Sequence, residues 1–202
     1  MQEVNNYLIT KDSVLAKLIF YFGQSFVTKE RREPFDSLAR AIISQQLSNS
    51  ATKSITDRLI KIHGPQPFLA SKFITLSDDL LRTCGISLGK IKAIKGVAQA
   101  TLNDELSINS FNDLSDTETK KILTSYWGVG PWTAEMFMIF CLHRLDIIAL
   151  NDAGLKRAHT ILYPSAKSLE HTAENWRPFR AYAGSYLWKF LDTPECQEII
   201  LG

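Results

Sequence analysis

Apolar residues recur at three- and four-residue intervals along most of the chain, and alternating β-branched runs are scarce. That period belongs to helices with one buried face, so the expected fold class is all-α. The pattern predicts helices over 12–26, 35–46, 49–63, 78–84, 88–102, 116–126, 131–143, 153–162 and 176–191. Punctuation supports several of them. Asp12 or Thr10 caps the first, and Ser115 with Glu118 three residues on forms a capping box before Tyr126. Gly64-Pro65 closes the third, and Pro164 follows the helix that begins after Asp152. The first ten residues and the stretch 145–151 read as short extended pieces. Neither an internal repeat nor a low-complexity linker interrupts the pattern.

Composition narrows the class. With 202 residues, 45% hydrophobic and 22% charged, the chain has the balance of an ordinary globular protein and enough length for a full core. Cys84, Cys141 and Cys196 are too far apart for a CxxC site or a four-cysteine cluster run, and read as reduced, buried thiols. The longest apolar run, Met136 to Leu142, is far short of a membrane span, and Met1-Gln2-Glu3 opens no secretory signal pattern. His63, His143, His159 and His171 have no metal-ligand spacing. Net charge is only +2, but it is unevenly spread. Between Asp79 and Asp104 lie Arg82, Lys90, Lys92 and Lys95 with no acid; between Asp152 and Glu170 lie Lys156, Arg157 and Lys167. Such stretches suit either a solvated helix face or a phosphate backbone.

The most specific feature is Gly128-Val129-Gly130 between two apolar helical segments. A capped helix runs into it, and a second helix starts at Pro131, where a missing N–H does no harm. Two glycines around one apolar residue make a tight hairpin with little side chain over the backbone. Its amides and the start of the second helix then form an anion-binding surface, with Val129 plugging the gap between the helices. A Gly-containing turn in an α-bundle shares the bare GxG; the continuation through Trp132, Thr133 and Ala134 makes the pattern more specific. Asp152, just before Ala153-Gly154-Leu155-Lys156-Arg157-Ala158, is at an N-cap position. A carboxylate near a bound strand can also stabilise an oxocarbenium-like sugar or orient a water.

Four ordered blocks carry a resemblance: Ala41-Ile-Ile-Ser-Gln-Gln-Leu-Ser48, Cys84-Gly-Ile-Ser-Leu-Gly-Lys90 with Ala93, Gly128-Val-Gly-Pro-Trp-Thr-Ala134, and Trp176-x-Pro-Phe-Arg-x-Tyr-Ala183 with Tyr186-Leu187-Trp188. The chain resembles the helix-hairpin-helix DNA glycosylase superfamily, in particular its 3-methyladenine DNA glycosylase II (alkylpurine) branch. The resemblance implies a two-lobed helical fold with a central cleft. One lobe is expected over 35–145, with wedge and hairpin, and the other from 1–34 plus 146–202. It also implies roles. Asp152 is the catalytic aspartate. Gln46 is the wedge that enters the duplex, a place held by Leu in some relatives. Trp132, Trp188 and Met136 line the base pocket, Met136 standing where one relative has Tyr. Gly128, Val129, Gly130 and Thr133 grip DNA at the hairpin, with Ser48 and Lys90 as further contacts. A monovalent cation at the carbonyls of Thr124, Tyr126 and Val129 is the family's hairpin option; no other metal and no cofactor is implied.

The implied activity is removal of a flipped alkylated purine (3-methyladenine or 7-methylguanine) from damaged double-stranded DNA, leaving an abasic site. The alternatives are a same-fold enzyme for hypoxanthine or an oxidised purine, and a catalytically silent module that binds DNA damage. Strand-cutting relatives carry Lys two residues after the second hairpin glycine; Trp132 stands there, so no Schiff base and no lyase step are expected. Cluster-bearing relatives carry four cysteines after the aspartate, where this chain has only Cys196. Only a short segment precedes the first block, so the β-rich N-terminal domain of some relatives is expected to be absent or reduced. A monomer without membrane attachment is expected, in a bacterial cytoplasm at the nucleoid or in a eukaryotic nucleus. Arg144 and Asp146 are expected to pair and so hold the loop before Asp152, and Arg180 to be structural or to reach phosphate.

Overall fold

The computed structural model describes residues 2–25, 27, 32–65, 67–166 and 168–201. Phe26, at the end of the first expected helix, and Lys167, in the second basic stretch, lie outside the described residues. In chain order the helices are α1 (Gln2–Lys11), α2 (Ser13–Phe22), α3 (Pro34–Ser44), α4 (Asn49–His63), α5 (Ala70–Thr75), α6 (Asp78–Thr83), α7 (Leu88–Leu102), α8 (Asp116–Ser125), α9 (Pro131–Phe140), α10 (Ala153–Leu162), α11 (Leu169–Ala173), α12 (Arg180–Leu191) and α13 (Pro194–Leu201). No strand occurs among the described residues, so the fold is all-α. None of these helices is long and apolar enough to cross a membrane.

Helices α4, α7 and α10 run over the expected residues, because each starts at a side chain that accepts its first amides. Ser48, Ser87 and Asp152 fill that role. The Ser115–Glu118 capping box is present at α8, and Asp12 caps α2. Two expectations are corrected. The first ten residues are not extended but form α1, whose Leu8 is buried. The stretch 145–151 forms turns rather than a strand. The helix expected from 176 starts only at Arg180, after Pro178 has interrupted the i→i−4 ladder. The short helices α5, α11 and α13 went unread, since few residues leave the apolar period little room to show itself.

The chain divides into two compact units, Arg31–Leu142 and Met1–Glu30 with His143–Gly202. The first is built around α3. Pro34 sits in its first turn, and Phe35, Leu38, Ala39, Ile42 and Ile43 are buried against α7 and α9. The buried Asp36 ties this helix down twice. Its Oδ1 accepts from the Phe68 amide at 2.9 Å and its Oδ2 from Arg40 at 2.6 Å.

In the second unit, α12 packs on α2 and α10. Its polar centre is Asp12. One carboxylate oxygen caps α2; the other accepts from Trp176 Nε1 at 2.8 Å and from the Tyr163 hydroxyl at 3.0 Å. Burial and the Asp12 charge both push the Tyr163 phenol upward, so it stays a neutral donor. Tyr163 stacks on His159, whose Nε2 lies 2.8 Å from the Thr172 hydroxyl.

Burial holds His159 below its ordinary value of 6.5, against a smaller opposing pull from Asp12. As pH falls through about 6.5 the unfolded chain therefore takes up this proton before the folded chain does, and stability drops. Thermal unfolding followed from about pH 8 down to about pH 5 should show this loss, and His159→Gln should remove that part of the slope. A histidine contribution of the opposite sign would mean that Asp12, not burial, governs the ring.

Candidate functional site

The hairpin lies in the Arg31–Leu142 unit. Helix α8 stops at Tyr126, whose carbonyl accepts from the Val129 amide at 3.0 Å, and α9 begins after Gly130. Val129 is buried at 4% exposure, as its apolar character requires. The two glycines are not equivalent. Gly128 has φ +80°, and a Cβ there would lie 2.5 Å from the Ala93 side chain on α7. Gly130 has φ −86°, and a Cβ there would meet nothing within 4 Å. Gly128→Ala should cost about 2–4 kcal/mol, from the left-handed backbone and the forced retreat of α7. Gly130→Ala should cost less than about 1 kcal/mol of stability. Urea unfolding of the two variants checks this; equal costs would mean that the hairpin does not depend on the approach to Ala93.

The hairpin is joined to the turn after α3. Gln45 Nε2 donates to the Gly128 carbonyl at 2.9 Å and to the Thr133 hydroxyl at 2.8 Å. Thr133 is buried, so its side chain faces this bond rather than solvent. Gln46 follows, exposed and at φ +56°, a left-handed conformation uncommon for a residue with a Cβ. Ser48, also exposed, accepts the Ala51 amide at 3.2 Å and starts α4. The Lys90 ammonium donates to the carbonyls of Ile43 (2.7 Å) and Gln45 (2.8 Å), and burial lowers its pKa. Lysine at a helix C-terminus satisfies carbonyls that have no intrahelical partner.

Beside the hairpin, Trp127 is 56% exposed, and the Lys92 ammonium lies 4.7 Å from the centre of its ring. Neither residue stood out in the sequence beyond the basic stretch that contains Lys92. On α9, Trp132 is half-buried and Met136 is buried at 7% exposure. The next carboxylate, Glu135, is spoken for by Lys120 at 2.5 Å. Of the three carbonyls that the resemblance assigns to a monovalent cation, that of Tyr126 accepts from the Val129 amide at 3.0 Å.

Asp152 and Trp188 lie in the other unit. Asp152 Oδ1 accepts the Leu155 amide at 2.7 Å and Trp188 Nε1 at 3.0 Å. The carboxylate is therefore both the N-cap of α10 and the partner of an indole, and its orientation is set from two directions. Gly154 leaves room for this, since a Cβ there would come within 3.1 Å of Asp152 Oδ1 and 3.5 Å of the Trp188 ring. The loop before it is clamped by Arg180, which donates through Nε to Asp146 Oδ1 at 2.7 Å and through Nη2 to the Asp146 carbonyl at 2.6 Å. Arg177 adds a 2.5 Å pair to the same carboxylate. Arg180 is thus structural here, with a side chain only 16% exposed.

Residues 39–179 match the family described as HhH-GPD superfamily base excision DNA repair protein. The chain belongs to this family. It is 33% identical over 167 residues to DNA-3-methyladenine glycosylase 1 of Schizosaccharomyces pombe, covering 79% of this chain and 73% of that one. It is 30% identical over 197 residues to the alkylbase DNA glycosidase-like protein mag2 of the same yeast, covering 93% and 92%. Among solved structures, the S. pombe 3-methyladenine DNA glycosylase Mag1 in complex with abasic DNA superimposes with a TM-score of 0.84 at 28% identity. That match covers 96% of this chain and 98% of the other.

Proposed function

We propose that this HhH-GPD protein is a monofunctional DNA glycosylase of base excision repair. It flips an alkylated purine out of duplex DNA and hydrolyses its N-glycosidic bond, leaving an abasic site. The observation that carries this reading is Asp152, a carboxylate held by the Leu155 amide and the Trp188 indole, in a chain whose family repairs bases by excision. The relatives named as 3-methyladenine glycosylases support the alkylpurine as substrate.

The chemistry is economical. An alkylated purine carries positive charge and is already a good leaving group, so the protein need not protonate it strongly. As the C1′–N bond stretches, positive charge develops on the sugar, and a fixed carboxylate is worth most against charge that appears only in the transition state. Asp152 stabilises that charge and positions the water that adds to C1′. The water's proton leaves to solvent and the bond's electron pair leaves with the base. An indole offers an electron-rich face to such a cationic ring, the chemistry that Trp132 and Trp188, each half-buried in its own unit, could supply. Trp132 at the position of the lyase lysine leaves no amine for a Schiff base, so the strand stays uncut.

DNA is held by the hairpin. Gly128 and Gly130 keep the backbone bare at the start of α9, Val129 anchors the turn, and the Thr133 segment completes the helix start that attracts phosphate. A monovalent cation on the carbonyls of Thr124, Tyr126 and Val129 would add a charge for the phosphate. Ser48 lies on the exposed turn beside Gln46, the residue that fills the gap left by the flipped nucleotide. Lys92 over Trp127 adds a cation next to the hairpin.

The test is free-base release from methylated duplex DNA. Release of 3-methyladenine or 7-methylguanine with an intact strand supports the reading. Release only of hypoxanthine or an oxidised purine would keep a glycosylase and change its substrate. A folded protein that binds abasic DNA and releases no base from any lesion would leave a damage-binding module.

A further inference from the structure

The wedge turn contains a conformational debt that two neighbours settle. Gln46 stands at φ +56° on an exposed turn, where the left-handed region disfavours any residue with a Cβ. A lone turn of this kind would relax. It is held because the carbonyls on its N-terminal side, those of Ile43 and Gln45, both accept from the Lys90 ammonium. The side chain of Gln45 then bonds the hairpin at the Gly128 carbonyl and the Thr133 hydroxyl. Helix α7, which carries Lys90, also carries Ala93, the side chain packed against Gly128. One helix thus braces the wedge turn and the phosphate hairpin at once, and Gln45 ties them to each other.

We propose that Lys90 and Gln45 are positioning residues for base flipping: they lock the Gln46 turn to the hairpin, so that gripping phosphate and inserting the wedge are one rigid event. This rests on the proposed function. It departs from the reading of Lys90 as a phosphate contact, because its ammonium is engaged with two main-chain carbonyls. A residue that acts through Gln46 should have no effect once Gln46 cannot act. A residue that touches phosphate should act regardless of Gln46 and should contribute to the salt dependence of binding.

The experiment is a double-mutant cycle of Lys90→Met with Gln46→Ala, on duplexes with a fluorescent adenine analogue beside the lesion to report unstacking. Base release is measured in parallel. In the wild-type background, Lys90→Met is expected to lower unstacking and kcat by about ten-fold, the scale of leaving a left-handed residue unsupported. In the Gln46→Ala background the same change should alter both by less than about two-fold. The slope of log affinity against log salt should be unchanged, and Lys90→Arg, which keeps a cation for the two carbonyls, should restore most of the unstacking. Gln45→Leu, which removes only the bonds to the hairpin, should show the same dependence on Gln46 and gives the answer if Lys90→Met does not fold. Additive effects, or a salt slope reduced by about 0.9, would overturn the inference and place Lys90 on a phosphate. Wild-type protein that neither unstacks the analogue nor releases base would overturn the proposed function and this inference with it. An active wild type with an additive cycle would overturn the inference alone.

Discussion

Asp152→Asn is expected to reduce base release at least about 100-fold, the usual scale for removing a group that stabilises transition-state charge. It should leave affinity for abasic-site DNA within about three-fold, since binding comes from backbone contacts rather than this carboxylate. The substitution is a clean one for a structural reason. An asparagine has the same shape, and its Oδ1 still accepts from the Leu155 amide and from Trp188 Nε1. The cap of α10 and the indole contact therefore survive the loss of the charge. Single-turnover release of base, beside circular dichroism of the variant, separates the two. Turnover at the wild-type rate would remove Asp152 from the chemistry and return it to being an N-cap.

Trp176→Ala is expected to have the largest effect on stability. Trp176 is fully buried, and its indole N–H donates to Asp12 at 2.8 Å. Removing a large buried aromatic costs about 3–5 kcal/mol in transfer and cavity terms. The loss also reaches the cap of α2, because Asp12 accepts the first amides of that helix with its other oxygen. Trp176→Phe keeps most of the volume and drops only the hydrogen bond to a carboxylate, so it should cost about 1.5–3 kcal/mol. Urea unfolding monitored by the remaining tryptophans checks both. A Trp176→Ala variant as stable as the wild type would show that the Asp12 centre does not hold its unit together.

Trp176 and Trp188 also show how a sequence reading divides. Both are tryptophans in one matched block, of which the resemblance places only Trp188 in the base pocket. Trp176 turns out to be a core residue wired to Asp12, whereas Trp188 is half-buried and wired to Asp152. Position in the block named neither hydrogen-bond partner, because an indole needs a partner for its N–H wherever it is buried and the partner is chosen by the tertiary fold.

What the sequence by itself determined is everything that local chemistry decides. Helix starts at Ser115 and Asp152 were legible because a short acceptor side chain bonds amides two or three residues on, a distance in sequence. The all-α class was legible from the apolar period, and the hairpin from two glycines before a proline. The six-residue α6 was read, but α5, α11 and α13 escaped, since five to eight residues seldom complete enough turns to show a period. Tertiary structure alone decided which hairpin glycine is indispensable, because that depends on Ala93 approaching Gly128 from α7. It alone joined Gln45 to Gly128 and Thr133, Lys90 to the end of α3, and Arg180 to Asp146. Those partners are 34 to 88 residues apart in the chain. No local pattern encodes such a pair, because it forms only after packing has brought the helices that carry its members together.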